Sequence, residues 1–128
     1  LTGLSIDEIQ RDRIGAASSF AREYGVATVL KGSRTVVALP DGRIYINPTG
    51  NAGMATAGTG DVLTGMIAGI AAQGVPVYDA AVAGVYLHGL AGDRAAEIVG
   101  MHGMVASDML PRIPEAISQL SRRTYLDG

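Results

Sequence analysis

The chain has 128 residues, of which 48% are hydrophobic and 17% charged, and its formal net charge is −2. This length suits one domain with one core, the apolar fraction excludes a disordered segment, and the absence of a basic run argues against nucleic acid or an anionic membrane as partner. No cysteine is present, which excludes a disulfide framework and fits a cytoplasmic location. The longest apolar run, residues 62–72, is too short to cross a bilayer, and no signal peptide is recognisable at the N-terminus.

The first part of the chain predicts one helix followed by three strands. A capping box at residues 5–8 begins the helix, and Gly25 is placed to end it. Residues 26–30 predict a buried strand, while residues 35–39 and 43–46 predict a hairpin around a Pro-Asp-Gly turn.

The rest of the chain predicts helices only. They cover about residues 61–73, 79–99 and 103–123, and Pro111 and Pro114 are expected to interrupt the last of them. Three strands make too little sheet for an α/β domain, because a buried strand needs neighbours on both sides. The chain therefore looks like the C-terminal half of a larger sheet domain.

The most informative segment is a glycine loop (residues 47–60) that runs directly into a predicted helix. Its glycines are Gly50, Gly53, Gly58 and Gly60. Glycine permits positive φ and close backbone approach to a ligand, and a helix start offers unpaired N–H groups with partial positive charge. The loop therefore predicts an oxyanion site, above all for phosphate. The alternative is a surface loop whose glycines serve only turns and packing. The small residues of the tract 65–69 are interpreted as packing against a sheet.

Two charged residues beside this loop are candidates for chemistry. Asp61 can cap the helix, or it can act as a general base that takes a proton from an attacking hydroxyl. Lys31 is the only lysine of the chain, and it follows a predicted strand, so it could neutralise a phosphate. The alternative for Lys31 is a solvated loop residue. His88 lies in an apolar helix and is interpreted as a packing residue, and neither it nor His102 forms a metal trio with other ligands.

Five tracts together resemble the ADP/ATP-dependent NAD(P)H-hydrate dehydratases, a branch of the ribokinase-like superfamily. They are residues 30–32, 40–42, 50–56, 58–65 and 86–93. The Gly-Asn-x-Gly-Met-Ala-Thr tract is peculiar to that branch, whereas Gly-Thr-Gly-Asp is shared across the superfamily. The resemblance covers nearly all of this chain but only the C-terminal half of a family domain. It implies a ribokinase-like three-layer α/β/α fold, with residues 1–128 as the C-terminal portion of a single nucleotide-binding domain.

The resemblance also implies a function, which is repair of hydrated NADH or NADPH driven by ADP or ATP with Mg²⁺. The ring hydroxyl would be phosphorylated and phosphate then eliminated. Asp61 would be the catalytic base and would contact the substrate together with Asn51. The implied nucleotide site consists of Lys31, Gly32, Ser33, Arg34, Thr35, Asn51, Gly53, Met54, Ala55, Thr56, Gly58, Thr59 and Gly60. Phosphates and water would hold Mg²⁺, with no protein ligand.

Two departures from the family pattern bear on these expectations. Ala57 stands where the family usually has a second glycine. The upstream half with its His-Pro-Gly-Glu segment is absent, which would leave a sheet edge open and predicts a homo-oligomer. Two other functions stay open: a hydroxymethylpyrimidine or thiazole kinase of the same superfamily, and a truncated, non-catalytic interaction domain.

Overall fold

The computed structural model describes the backbone of residues 2–126 and the side chains of residues 2–122. Helices and strands follow in the order α1 (Ile6–Arg11), α2 (Arg13–Tyr24), β1 (Thr28–Leu30), β2 (Val36–Ala38), β3 (Ile44–Ile46), α3 (Thr59–Ala71), α4 (Val77–Val99), α5 (Ala106–Met109) and α6 (Ile113–Leu126). Short 3₁₀ turns precede α3 and α6, at Ala52–Met54 and Leu110–Arg112.

The N-terminal helix is broken into two, where the sequence predicts one. The capping box is present, because Ser5 Oγ accepts from the Glu8 amide and Glu8 accepts from the Ser5 amide. At Asp12 the backbone leaves the helical region, and its carboxylate accepts from the Gly15 amide at 2.8 Å, which starts α2. An aspartate satisfies an unpaired helix N–H in this way. Gly25, with φ of 65°, ends α2 as predicted.

The three strands form one antiparallel sheet in the order β1-β2-β3. Each strand has three residues, fewer than the sequence predicts. The prediction that the first strand is buried is wrong. Its residues are half-buried, because β1 is an edge strand of the described sheet, whereas β2 at the centre is fully buried.

Helices cover both faces of the sheet. Val36 and Ala38 pack against Ala17 and Ala21 of α2. The alternate residues of the central strand point to the opposite face, as a period of two requires. There the core cluster contains Val37, Leu39, Leu63, Ala81 and Val85, contributed by β2, the residue after it, α3 and α4. The result is the predicted α/β/α arrangement.

Helix α3 packs tightly on α4 at Gly84, where a Cβ would lie 2.6 Å from Ile67 Cγ1. The interpretation of Gly65 and Gly69 as packing residues is wrong. Both are exposed, and a Cβ at either position would meet only open space.

Among the residues that the structure describes, no helix combines the length and apolar character needed to span a membrane.

Candidate active site at the glycine loop

The glycine loop ends at Gly58, which is the N-cap of α3. Helix α3 begins at Thr59, two residues before the predicted start, and no side chain caps it. Gly58 has φ of 87°, a left-handed conformation that favours glycine. Within the described chain, the amides of Thr59, Gly60 and Asp61 have no hydrogen-bond acceptor. Three free amides at a helix start are suited to bind an oxyanion.

The side chain of Thr59 is buried beneath these amides, with 1% of its surface exposed. Its Oγ1 lies 2.9 Å from the Met54 carbonyl oxygen and 3.0 Å from that of Thr56. The single hydroxyl proton is therefore committed to the loop backbone. Thr59 can therefore bind a ligand through its backbone amide, while its side chain connects the loop to the helix.

Lys31 brings positive charge to the start of α3. It follows β1, and its Nζ donates to Thr59 Oγ1 at 3.0 Å, although the two residues are 28 positions apart in the sequence. The remaining ammonium protons are available for a second acceptor. A cation next to free helix amides strengthens the attraction for a phosphate.

His88 lies on the other side of Thr59. It is buried in α4, and its Nε2 lies 2.8 Å from the Thr59 carbonyl oxygen. Burial lowers the pKa of His88 below its ordinary value of 6.5, and the charge of Lys31 lowers the pKa further, while the hydrogen bond to Thr59 acts in the opposite direction. The imidazole is therefore neutral near pH 7. Sequence interpretation gave this histidine only a packing role, because nothing local shows that α4 reaches the start of α3.

Asp61 is the third residue of α3, and its side chain is exposed. It makes no hydrogen bond or ion pair with any residue that the structure describes. The carboxylate is thus free to meet a substrate beside the three amides. Its role as base stays a prediction.

Asp93 of α4 binds the N-terminal part of the glycine loop, at Gly50 and Asn51. Its two carboxylate oxygens accept from the Gly50 amide and from Asn51 Nδ2, both at 2.9 Å. Asn51 Oδ1 accepts from the Gly53 amide at 3.0 Å. Asn51, predicted to contact substrate, is therefore held in place and keeps one amide N–H for a ligand. Asp93 was missed as a site residue, although it lies in one of the tracts that carry the resemblance.

The rest of the loop lies directly on the backbone of α4. A Cβ at Gly89 would overlap Thr49 Oγ1, and one at Gly92 would overlap Met54 Sδ. The Met54 side chain is buried with the core residues Ala95, Met104 and Met109. Any contact of Met54 with a nucleotide is therefore limited to its backbone. Ala55 and Ala57 are exposed, and Thr56 is half-buried.

The segment 31–35 forms a compact turn after β1. Thr35 Oγ1 donates to the Gly32 carbonyl at 3.1 Å and accepts from the Gly32 amide at 3.3 Å. Ser33 and Arg34 are exposed, and Arg34 has φ of 52°, unusual for a residue with a side chain. Arg13 of α2, which the sequence did not indicate, donates to the Leu30 carbonyl at 3.0 Å and lies against Gly32.

Two surface cavities lie elsewhere. One, of about 540 Å³, is beside β3 and the first turns of α4, and the other, of about 560 Å³, is between the residues after α2, the turn before β3 and the start of α4. Neither includes a residue of the glycine loop. In the described chain, no three His, Cys, Asp or Glu side chains are grouped so that they could hold a metal ion.

Comparison with known proteins gives the family of the chain and its fold. Residues 1–115 match the NAD(P)H-hydrate dehydratase family. The bifunctional NAD(P)H-hydrate repair enzyme Nnr of Moorella thermoacetica is 53% identical over 94% of this chain, which spans 23% of that protein. The ADP-dependent (S)-NAD(P)H-hydrate dehydratase of Neisseria meningitidis serogroup B is 47% identical over 87% of this chain, and 38% of that protein is covered.

A solved structure shares the fold. The ADP/ATP-dependent NAD(P)H-hydrate dehydratase from Bacillus subtilis, co-crystallised with ATP and Mg²⁺, superposes with a TM-score of 0.88 at 36% identity. The superposition covers 92% of this chain and 43% of that one. The fold is therefore ribokinase-like, as predicted, and the chain spans less than half the length of these relatives.

Proposed function

The chain belongs to the NAD(P)H-hydrate dehydratase family, and we propose that it forms the nucleotide and catalytic part of an enzyme that dehydrates hydrated NADH or NADPH with ADP or ATP. The observation that carries this proposal is the convergence of Lys31, the three free amides of α3 and the exposed Asp61 at one helix start. The relatives' names supply the substrate class, and the Bacillus subtilis structure supports the pairing of ATP with Mg²⁺.

The proposed chemistry assigns each group one task. The terminal phosphoryl group of the nucleotide is the electrophile. Asp61 takes the proton of the nicotinamide ring hydroxyl as that oxygen bonds to phosphorus and the bond from phosphorus to the nucleotide oxygen breaks. The amides of Thr59 and Gly60, with Lys31, stabilise the charge that develops on the phosphoryl oxygens. Phosphate then leaves with the electrons of the ring C–O bond, and loss of a neighbouring ring proton restores the double bond.

The remaining predicted residues fit the binding of the nucleotide. Lys31 and Thr56 contact Thr59 at the start of α3. The turn 31–35 and the loop residues Asn51, Gly53 and Ala55 adjoin these two residues in sequence, and Arg13 donates to the Leu30 carbonyl just before the turn. Mg²⁺ would be bound by phosphate oxygens. We also propose that residues 1–128 are the C-terminal portion of one domain and that the protein acts in the cytoplasm, where hydration of the reduced dinucleotides would supply its substrate.

Replacement of Asp61 tests the proposal. We expect Asp61→Asn to lower turnover of hydrated NADH by about 10²–10⁴-fold, the usual contribution of a general base, while ADP still binds. Asp79→Asn is a matched control, because Asp79 is likewise exposed at the third position of a helix. Recovery of the reduced-nicotinamide absorbance band measures turnover, and calorimetry measures ADP binding.

The assay is performed on the chain itself and on a chimera in which it replaces the matching part of the Bacillus subtilis relative. Unchanged turnover in Asp61→Asn would remove Asp61 from the base role. Phosphorylation of a hydroxymethylpyrimidine or thiazole alcohol, without recovery of the absorbance band, would instead identify a kinase of the superfamily.

A further inference from the structure

The imidazole of His88 reaches from α4 to the first turn of α3. It is 4% exposed, and its Nε2 lies 2.8 Å from the carbonyl oxygen of Thr59. A carbonyl oxygen only accepts hydrogen bonds, so Nε2 carries the proton and donates it. Among the side chains that the structure describes, only His88 is bonded to this carbonyl.

The carbonyl of Thr59 and the N–H of Gly60 belong to the same peptide unit, which is planar and trans. The two groups therefore point in opposite directions. In a helix the carbonyls point toward the C-terminus and the N–H groups toward the N-terminus, so the Gly60 N–H faces the open start of α3. A hydrogen bond that fixes the Thr59 carbonyl also fixes the direction of the Gly60 N–H.

The same bond changes the strength of Gly60 as a donor. Hydrogen bonds in series polarise one another, by about 10–30% per bond in condensed phases. A donor on the carbonyl side of a peptide thus makes its N–H side more positive. The effect is largest where water is excluded, and His88 is buried.

We propose that His88 is a positioning residue for the oxyanion site: its Nε2–H orients and polarises the Thr59–Gly60 peptide so that the Gly60 amide binds a phosphoryl oxygen. This inference rests on the proposed function, since it takes the oxyanion to be a nucleotide phosphate. Thr59 is held by two side chains, because Lys31 donates to its hydroxyl and His88 donates to its carbonyl.

A purely packing role makes a different prediction. His88 neighbours Leu87 and Gly89 in an apolar helix, and a leucine of similar size would fill the same space without a buried polar atom. If packing were its only task, the effect of this replacement on ADP binding would follow its effect on stability, because the Thr59 carbonyl loses a buried donor in either case.

The first experiment measures the chemical shift of the Gly60 amide proton, which responds to polarisation of the Thr59–Gly60 peptide, without any ligand. In ¹H–¹⁵N spectra of the chain, we expect His88→Leu to shift the Gly60 amide proton to lower frequency. His88→Gln, whose Nε2 can reach the same carbonyl, should restore most of the shift. An unshifted Gly60 amide in the folded His88→Leu protein would overturn the inference.

The second experiment measures ADP binding by calorimetry. We expect His88→Leu to weaken ADP binding about tenfold, less than the ~10²–10³-fold loss in rate when an oxyanion donor is removed directly. His88→Gln should stay within about threefold of wild type, by the same reasoning. Val85→Ala is the control, because it disturbs the α3–α4 core one turn away without touching Thr59.

The outcomes separate the two proposals. Equal weakening by His88→Leu, His88→Gln and Val85→Ala would show that affinity follows stability, and it would overturn the positioning role. A wild-type chain and chimera that bind no ADP would overturn the proposed function, whatever the Gly60 amide does.

Discussion

Thr59 connects the groups that define the candidate site. Its hydroxyl receives a bond from Lys31, its carbonyl receives one from His88, and its amide is free at the start of α3. A threonine is suited to this position because one small side chain supplies both a donor and an acceptor. These hydrogen bonds fix the positions of the Lys31 ammonium group and the His88 imidazole relative to the start of α3.

The contribution of Lys31 can be measured directly. We expect Lys31→Met to weaken ADP binding by about 10–100-fold, because a hydrogen bond to a charged group contributes about 1.5–3 kcal/mol. Arg11→Met, which removes an exposed cation from α1, should leave ADP affinity unchanged. Calorimetric titration checks both, and equal affinity in Lys31→Met and wild type would contradict the assignment.

His88 also makes the stability of the fold sensitive to acid. Burial lowers its pKa in the folded chain, so the unfolded chain takes up a proton at higher pH than the folded chain does. Well above pH 6.5 the imidazole is neutral in both states, so this group adds no pH dependence to the stability there. As the pH falls through about 6.5, protonation favours the unfolded chain.

We therefore expect the melting temperature to fall as the pH is lowered from 6.5 toward 5, and His88→Gln to show a weaker dependence over that interval. Thermal unfolding followed by circular dichroism provides the measurement. His102→Gln is the control, because His102 is exposed. Identical pH dependence in wild type and His88→Gln would exclude this source of acid sensitivity.

At the scale of elements, α4 is the scaffold of the site. One of its faces carries Gly84, Gly89 and Gly92, which let α3 and the glycine loop approach its backbone. The same helix supplies His88 and Asp93 to hold them there. The glycines of α3 have no such neighbours.

This difference predicts opposite effects of the same substitution. Gly69→Ala should raise the free energy of unfolding by about 0.5–1 kcal/mol, because alanine is the better helix former and space is open. Gly84→Ala should lower it by about 1–3 kcal/mol, because the new methyl group would press on Ile67 and its backbone. Denaturant unfolding of both variants provides the comparison, and a destabilised Gly69→Ala would contradict it.

At the scale of the whole molecule, the described sheet has two open edges. Ile44 and Ile46 of the edge strand β3 are 43% and 46% exposed. Apolar side chains beside unpaired backbone groups favour association with another chain. The predicted homo-oligomer is consistent with these features, and the oligomeric state stays a prediction.

We expect the chain to self-associate at high concentration and Ile46→Lys to reduce this association, because a charge on an edge strand opposes pairing. Sedimentation equilibrium measures the effect, with Ile117→Lys as control, since Ile117 is similarly exposed on α6. A wild-type chain that stays monomeric, or equal association in both variants, would contradict the prediction.

Features that depend on neighbouring residues can be read from the sequence alone. The capping box, the helix end at Gly25, the hairpin and the free amides after Gly58 follow from local chemistry, and the family follows from short tracts. Which distant residues meet became visible only in the folded chain: Lys31 and His88 at Thr59, Asp93 at Gly50, and Gly84 rather than Gly69 at the helix contact. Local patterns fix backbone conformation and which face is apolar, whereas the partners of a side chain depend on how whole elements pack.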